Sequence, residues 1–407
     1  MNSIANGASS ANRTHIGFFG RMNAGKSSLI NALTKQPAAI VSDIAGTTTD
    51  VVRKPMEIHG IGACTLLDTA GFDDASELGR QRISASWRAA EETDLAVILF
   101  TEAEDGLEEK WIRYFLDRKI PCIGVFSKYD LYDHERIQER IAELEKKFQI
   151  PFSVCSAEDA ASIDELKNTM IQAMNLGQRT RTVLAGLAKA QDIVMLVMPQ
   201  DPQAPEGRLI QPEVQTIRDA LDRECIAICV TLDGMPKALA SLKKAPDLIV
   251  TDSQAFRQVH ELCPKESRLT SFSVLFAGLK GDIAYYTESA KAIDQLTSSS
   301  KVLIAECCTH APMEEDIGRV KIPRLLKKKA GEDLQIDVKA GIDFPADASQ
   351  YDLIIQCGGC MFNRRYVMSR IDQAKEKKVP MTNYGIAIAY LNGILNDISL
   401  PKGEEND

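Results

Sequence analysis

The chain lacks long hydrophobic runs, an excess of basic residues and a high aromatic content. Its 407 residues include two tryptophans, aromatic residues make up 6%, and the formal net charge is −9. The longest apolar stretches, at 95–100 and 193–198, have strand length, whereas a membrane-spanning helix needs roughly 20 apolar residues. We therefore expect no membrane association. The acidic balance also argues against nucleic-acid binding, and the lysine run at 327–329 is interpreted as a solvated helix end.

A secretory signal is not evident either. Residues 1–13 are mostly small and polar and predict a disordered lead-in. We expect a cytoplasmic protein. Ten cysteines in a reducing compartment argue against a disulfide framework and for buried thiols or metal ligands. Since single cores stop growing beyond about 250–300 residues, the chain length predicts more than one domain.

A phosphate-binding loop lies near the start of the chain. Residues 20–27 match the pattern GxxxxGK[ST] and stand between a strand-like run at 16–19 and a helical segment at 28–33. In such a loop backbone N–H groups surround the β-phosphate, Lys26 reaches the β/γ oxygens and Ser27 binds Mg²⁺. The flanking strand and helix make the match specific.

Later polar loops complete the expected nucleotide site. Thr48 is the expected second Mg²⁺ ligand, Asp68 holds the Mg²⁺ shell through water, and the Gly71 N–H senses the γ-phosphate. Asp130 can accept two hydrogen bonds from a guanine edge, while the Lys128 stem lies along the base. Catalysis is assigned to Thr48, Gly71 and the phosphate-loop lysine. The residues expected to bind GTP are Asn23, Ala24, Gly25, Lys26, Ser27, Ser28, Asp68, Lys128, Asp130, Ser156 and Ala157.

Together these loops resemble the translation-factor-like GTPases, the group that includes the tRNA-modification and ribosome-assembly GTPases. Ser127 stands where the group has Asn, which predicts weaker nucleotide binding with guanine choice kept by Asp130. Phe72 replaces the water-orienting Gln of small signalling GTPases, so intrinsic hydrolysis is expected to be slow. The resemblance implies that a potassium ion held by Asn23 stimulates hydrolysis. The alternative is that Asn23 is a loop residue whose side chain hydrogen-bonds to its own backbone.

Strand-like and helix-like segments alternate after residue 178 and predict further α/β structure. Residues 179–191 are predicted to form a helix and connector. The region 178–269 carries no catalytic constellation, and we expect it to mediate self-association through a sheet edge or a helix face. Cys225 and Cys229 lie four apart on an apolar run and are interpreted as core thiols.

The region 270–401 carries two cysteine clusters, CCTH at 307–310 and CGGC at 357–360, each directly after a predicted strand. Because parallel strands bring their carboxyl ends to one crevice, Cys308 and the two cysteines of CGGC can meet. Three thiolates and a weaker ligand suit an iron–sulfur cluster with one exchangeable iron. A Cys₃His zinc site and a redox CxxC without a cluster are the alternatives.

These cysteine motifs occur with SFSVLFAGLKGD at 271–282, DIGRVKIP at 316–323 and VPMTNYG at 379–385. The set resembles the [FeFe]-hydrogenase maturation GTPases that act as scaffolds for the diiron subcluster. The resemblance implies a GTPase domain, a dimerisation domain and a domain whose cysteines hold a [4Fe–4S] cluster. Carried over, the cluster ligands are Cys308, Cys357 and Cys360.

The fourth iron ligand is not fixed by this resemblance. Gln356 and Ala311 stand where the family pattern often has histidines. Cys307 neighbours Cys308 on an extended segment, so the two thiols point to opposite sides and are not expected to bind together. Besides water, the remaining candidates are His310, Glu314 and Glu315.

The whole sequence predicts an α/β protein of three domains. These are a P-loop GTPase domain with a mostly parallel sheet (14–177), a small α/β dimerisation domain (178–269) and an α/β cluster-binding domain (270–401). We expect a homodimer that receives a diiron precursor from radical-SAM maturases and delivers it to apo-[FeFe]-hydrogenase. The expected cofactors are GTP/GDP, Mg²⁺, K⁺, a [4Fe–4S] cluster and a transient diiron subcluster. The alternative hypothesis is a GTPase that acts on RNA. Such a protein needs a basic RNA-binding domain, and none is evident in the sequence.

Overall fold

A computed structural model of the chain divides into two compact units, Met1–Arg179 and Thr180–Asp407. None of the helices in the described part of the chain is both long enough and apolar enough to span a membrane. The structure describes residues 13–34, 51–73, 77–101, 106–175, 182–198, 209–307, 316–341, 343–345, 347–360 and 362–402.

Six strands form the sheet of the first unit. They are β1 (Thr14–Gly20), β2 (Val52–Ile58), β3 (Gly62–Asp68), β4 (Leu95–Phe100), β5 (Cys122–Ser127) and β6 (Phe152–Cys155). Their order is β2-β3-β1-β4-β5-β6. The β2 strand runs antiparallel to β3, and the other pairs are parallel. The central strands β4 and β5 are buried throughout, as expected for apolar runs covered on both faces.

Helices cover both faces of this sheet and enclose two cores. One core is built around β1 and the first helix, and the other around Phe19, Trp111 and Phe115. The Asp133 carboxylate accepts hydrogen bonds from the backbone N–H groups of Glu135 and Arg136 and so begins the fourth helix. The helices are α1 (Lys26–Leu33), α2 (Glu77–Glu91), α3 (Leu107–Asp117), α4 (His134–Phe148) and α5 (Ala160–Asn175).

The second unit contains two four-stranded sheets. The first comprises β7 (Ile193–Val197), β8 (Ile226–Val230), β9 (Leu248–Thr251) and β10 (Arg268–Ser271). The order is β10-β9-β7-β8, and all pairs are parallel. Residue 270 therefore falls inside a strand of this sheet. The helices that alternate with these strands are α6 (Gln211–Asp222), α7 (Met235–Ser241) and α8 (Phe256–Leu262).

Two predictions for this region are wrong. The described part of 179–191, from residue 182 on, forms turns rather than a helix. The Asp219 carboxylate accepts the backbone N–H of Leu184 at 2.6 Å, which removes that donor from helical hydrogen bonding. Cys225 is buried as expected, but Cys229 is exposed, because β8 is an edge strand with one side uncovered in the single chain.

The second sheet of this unit comprises β11 (Lys301–Ala305), β12 (Gln335–Lys339), β13 (Leu353–Gln356) and β14 (Met381–Asn383). Its order is β12-β11-β13-β14, and all pairs are parallel. The β11 and β13 strands are direct neighbours, and Ala305 pairs with Gln356 at their carboxyl ends. Its helices are α9 (Phe272–Lys280), α10 (Ile283–Ala290), α11 (Ile322–Ala330), α12 (Arg364–Glu376) and α13 (Tyr384–Leu391).

One hydrophobic core joins the two sheets of the second unit. Met195 and Ile249 of the first sheet belong to the same buried cluster as Leu303 and Ile354 of the second. The α9 helix follows β10 directly, and the Ser271 hydroxyl caps its first turn by accepting the Val274 N–H at 3.3 Å. The three sheets confirm the predicted α/β class and the mostly parallel sheet of the first unit.

Candidate functional site

The phosphate loop joins β1 to α1, so Lys26 stands at the first position of the helix. Its side chain is buried, and Nζ donates hydrogen bonds to the carbonyl oxygens of Gly20 at 2.9 Å and Arg21 at 2.6 Å. Burial lowers the pKa of Lys26, while the charges of Asp68 and Asp73 act in the opposite direction. An ammonium group held by loop carbonyls can exchange these bonds for phosphate oxygens.

The expected Mg²⁺ ligands lie beside this lysine. The Ser27 hydroxyl donates to Oδ2 of Asp68 at 2.6 Å, so the two side chains meet although 41 positions separate them. Hydroxyl and carboxylate oxygens are the ligands that Mg²⁺ prefers, so this pair fits the ion. Ser28 is exposed on the first turn of α1. Thr48, the predicted second Mg²⁺ ligand, lies outside the described residues.

The loop after β3 touches the phosphate loop directly. A Cβ added at Gly71 would lie 2.4 Å from the backbone N of Met22, so no side chain fits at that position. The Met22 N–H donates to Oδ1 of Asp73 at 2.7 Å. Phe72 turns into the core, where its ring stacks on Trp111 with centroids 5.6 Å apart. Its side chain therefore cannot position a water molecule at a phosphate.

The predicted base loop is also anchored to the phosphate loop. Lys128 Nζ donates to the Asn23 carbonyl at 2.7 Å, and the Ser127 hydroxyl donates to the Ala24 carbonyl. The serine that stands where the group has Asn thus still ties the base loop to the phosphate loop, because the two loops approach closely. Asp130 is exposed in a short 3₁₀ turn at Tyr129–Leu131.

The remaining residues expected to contact GTP lie on the same two loops and after β6. Asn23 adopts a left-handed backbone conformation with φ 58° and is exposed, while Ala24 is buried. Gly25 has φ 87° and precedes α1. Ser156 and Ala157 follow the end of β6. The backbone N–H of Ser156 donates to the Ser162 hydroxyl at 3.1 Å, which ties this loop to α5.

Cys307 and Cys357 lie where β11 and β13 end side by side. The backbone N–H of Cys307 donates to the Cys357 sulfur at 3.1 Å, although these residues are 50 positions apart. Cys360 follows one turn later and is half-buried. No three Cys, His, Asp or Glu side chains within the described ranges lie close enough together to hold a metal ion. Outside those ranges lie Cys308, His310, Ala311, Glu314 and Glu315.

The pKa values of the two neighbouring thiols are shifted in opposite directions. A hydrogen bond from the Cys307 thiol, with others from the Gly359 and Cys307 backbone, lowers the pKa of Cys357 to about 7 against the effect of burial. The same hydrogen bond and burial raise the pKa of Cys307. By contrast, burial raises the pKa of Cys64 and Cys122 in the first unit to about 12. These hydrogen bonds favour the thiolate form of Cys357, which is the form that binds metal.

Buried polar atoms without partners surround this pair of thiols. Among the described residues, both amide atoms of Gln356, the Tyr384 hydroxyl and Nε of Arg370 are buried and make no hydrogen bond. Nη1 of the same arginine lies 3.6 Å from the Cys307 sulfur. An unsatisfied buried polar group costs about 1–3 kcal/mol. Together with the thiol donors, these groups fit a charged inorganic cluster at the carboxyl ends of β11 and β13.

Three protein-family models match the chain. Residues 183–281 match the "Hydrogen maturase F dimerization domain", and residues 284–399 match the "Hydrogen maturase F tetramerization domain". Together these two cover more than half of the 407 residues. The chain belongs to the hydrogen maturase F family. Residues 15–128 match a GTPase family described as "50S ribosome-binding GTPase". Both predicted resemblances are thereby confirmed, and the N-terminal region is a P-loop GTPase domain.

The curated relatives of this family member are GTPases. The tRNA modification GTPase MnmE of Proteus mirabilis is 33% identical over 216 residues, which are 50% of this chain and 46% of that protein. GTPase Der of Mycoplasmopsis pulmonis is 34% identical over 174 residues, 39% of each chain. The chain thus spans less than half the length of these relatives. Elongation factor SelB of Methanococcus maripaludis, solved with the GTP analogue GppNHp, is 24% identical over 44% of this chain and 38% of that one, with a TM-score of 0.34.

Two cations beside the cysteines were not anticipated from the maturase sequence. The Lys280 side chain is buried at the end of α9, and Nζ donates to the carbonyls of Gly359 and Phe362 at 2.9 and 2.7 Å. Burial lowers the pKa of Lys280 to about 8, and the charges of the cysteines oppose this shift. The Arg370 guanidinium lies 4.8 Å from the Tyr366 ring centroid. The available signal was a lysine at the end of the apolar run 272–279.

Proposed function

We propose that the protein is a GTPase and a [4Fe–4S] scaffold of hydrogenase maturation. It receives a diiron precursor from radical-SAM maturases and delivers it to apo-[FeFe]-hydrogenase. The observation that carries the proposal is the meeting of Cys307 and Cys357 at adjacent strand ends within the region matched by a hydrogen maturase F model. A scaffold needs cysteines from distant parts of the chain at one place, because the cluster must be held while its cargo is exchanged.

The proposed division of labour assigns one function to the region of each sheet, with the boundary at residue 270 falling within β10. Residues 14–177 form the GTP-binding domain, 178–269 the dimerisation domain and 270–401 the cluster-binding domain. Self-association through the dimerisation domain is supported by its edge strand β8, where Ile226 is 51% exposed. An uncovered apolar edge is unfavourable in a lone chain. A second copy of the chain can cover it.

The GTPase site acts through charge and positioning. Lys26 supplies a cation to the β/γ-phosphate oxygens, and Ser27 with Asp68 would hold Mg²⁺, as would Thr48. Bound Mg²⁺ supplies positive charge that neutralises the phosphate oxygens. Since Phe72 is packed against Trp111, hydrolysis proceeds without a water-orienting side chain at that position and is slow. The nucleotide state regulates partner exchange rather than chemistry at iron.

The cluster is proposed to be bound by Cys308, Cys357 and Cys360, which would leave one iron open to an exchangeable ligand. Thiolates supply strong donors to three irons, and a replaceable oxygen or nitrogen ligand on the fourth allows cargo to dock. Cys307 would then act beside the cluster as a hydrogen-bond donor. The candidates for the exchangeable ligand are His310, Glu314 and Glu315.

Iron and acid-labile sulfide per chain after anaerobic reconstitution test this function. The proposal requires about four of each per chain. A zinc site or a simple redox CxxC gives no sulfide, so either result would replace the scaffold function. The rival function on RNA predicts retention on RNA at physiological salt, which the net charge of −9 disfavours.

Guanine selection is expected to depend on Asp130. Its carboxylate is exposed and can accept the two N–H donors of the guanine edge, and Asn in its place offers a donor instead. The Asp130→Asn variant should therefore lose affinity for GTP by at least about tenfold, the effect of one lost charge-assisted hydrogen bond, and gain affinity for xanthosine triphosphate. Competition binding against both nucleotides measures this. Asp133→Asn is the matched control, because Asn caps α4 as well as Asp does. Unchanged GTP preference in Asp130→Asn would remove the assignment.

Hydrolysis is expected to be faster in potassium chloride than in sodium chloride at equal ionic strength. The Asn23 side chain is exposed on the phosphate loop, where its amide oxygen can bind K⁺ near the phosphates. Asn23→Gly removes that oxygen, and glycine tolerates the φ of 58° at this position. The variant should lose the potassium stimulation and keep the slow rate seen in sodium. Equal rates in both salts for the parent protein would instead leave Asn23 as a loop residue.

A further inference from the structure

Lys280 is a buried cation that none of the functions above uses. It ends α9, and its side chain is 4% exposed. Nζ donates to three backbone carbonyls of one segment, those of Gly359 at 2.9 Å, Cys360 at 3.4 Å and Phe362 at 2.7 Å. This segment contains the second half of the CGGC motif. The three acceptors thus belong to the turn that carries a predicted cluster ligand.

The hydrogen-bond count indicates that Lys280 is an ammonium group. An ammonium has three N–H donors and a neutral amine has two, and three carbonyl oxygens surround Nζ. Burying an unpaired ammonium is costly, and the carbonyl dipoles offset that cost. An apolar side chain could fill the same space without the cost of burying a charge. The charge itself is therefore the feature that needs an explanation.

The contacts also fix the path of the CGGC turn. The Phe362 N–H donates to the Gly359 carbonyl at 3.1 Å and closes the turn. On its other side, Nη1 of Arg364 donates to the Gly281 carbonyl at 2.9 Å, so the end of α9 is tied to the residues after the turn as well. The residues joined by Lys280 are 79 to 82 positions apart. The turn is therefore held by contacts from a distant helix end, those of Lys280, in addition to its own local hydrogen bond.

We propose that Lys280 is a positioning residue of the cluster site, which fixes the CGGC turn and places a positive charge beside the bound cluster. The inference rests on the proposed [4Fe–4S] site. Reduction adds one electron to the cluster, and a nearby cation in a low-dielectric interior favours the reduced state. Lys280 therefore raises the reduction potential. It does so without being a ligand, because its three donors are directed at carbonyls.

The test compares Lys280→Met, which removes the charge and all donors, with Lys280→Gln, which removes the charge but keeps two N–H donors. In the full-length apo protein, hydrogen exchange of residues 357–362 should accelerate in Lys280→Met more than in Lys280→Gln. After reconstitution, the reduction potential of the cluster should be lower in both variants. We expect the equilibrium constant for reduction to fall about tenfold, which corresponds to 59 mV for a one-electron couple. Lys280→Met should also lose iron.

Lys375→Met is the matched control. Lys375 contacts Asp282 at 2.8 Å near the same helix end but is 41% exposed. It should keep the parent potential and exchange rates. If the parent protein binds no iron and sulfide, the proposed cluster function fails. If the parent binds a cluster and both Lys280 variants match it in potential and in exchange, the role of Lys280 is overturned. Hydrogen exchange is measured without a cluster, so a variant that binds no iron is still informative.

Discussion

Replacing Cys357 with alanine is expected to reduce the iron and sulfide content of the reconstituted protein to near zero. The Cys357 sulfur lies at the end of β13 and accepts the Cys307 N–H from the neighbouring strand at 3.1 Å. Its removal leaves two thiolates in the proposed ligand set, too few to retain a cubane cluster in water. Iron and sulfide per chain, with the absorption spectrum under anaerobic conditions, measure the loss.

The matched control is Cys229→Ala. Cys229 lies on β8 in the other sheet of the same unit and is exposed, so its thiol should be dispensable for the cluster. Thermal unfolding of the apo proteins shows whether Cys357→Ala folds. Cys357→Ser provides a second variant of nearly the same size, which also lacks the thiolate. Full iron content in a folded Cys357→Ala protein would contradict the ligand set.

The same measurement distinguishes the two cysteines of CCTH. A hydrogen bond to Cys357 and burial both raise the pKa of the Cys307 thiol. Both effects disfavour its thiolate form, whereas Cys308 is the expected ligand. Cys308→Ala should lose the cluster and Cys307→Ala should retain iron. The reverse result would make Cys307 the ligand.

The strands that the sequence predicts well are those buried on both faces. Residues 95–100 are a continuous apolar run, and β4 occupies the same positions. The β12 strand was missed because it is an edge strand that alternates polar and apolar residues and is only partly buried. Its apolar signal is weaker than that of a central strand. The short β14 was missed because its three residues carry no periodicity.

The distance along the sequence between the residues of a site decides how much of that site could be predicted. The phosphate loop is contiguous, so its residue types and order are sufficient to predict its chemistry. The two cysteine clusters required the rule that parallel strands end together, and β11 and β13 do lie side by side. Lys280 could not be found in this way, because its acceptors are backbone carbonyls and carry no residue-type signal. The Ser127 contact with Ala24 depends equally on backbone approach between two distant loops.

Replacing Lys26 with alanine is expected to abolish GTP turnover while leaving cluster assembly intact. Lys26 Nζ is held at the carbonyls of Gly20 and Arg21, at the end of β1 where the phosphates are proposed to bind. Loss of one preorganised donor in a buried site typically lowers the rate by roughly 10²–10³-fold, and here a full charge is lost as well. Phosphate release from GTP measures turnover.

Iron content provides the decisive comparison for this variant, because the nucleotide site and the cysteine site lie in separate compact units of the chain. Lys26→Ala should bind as much iron and sulfide as the parent protein. Lys167→Ala is the control within the first unit, since Lys167 makes an exposed ion pair with Asp164 at 2.9 Å, and such pairs contribute little to stability. It should hydrolyse GTP at the parent rate. Parent-like turnover in Lys26→Ala would contradict the phosphate-loop assignment, and a parallel loss of iron would show that the two sites are coupled rather than independent.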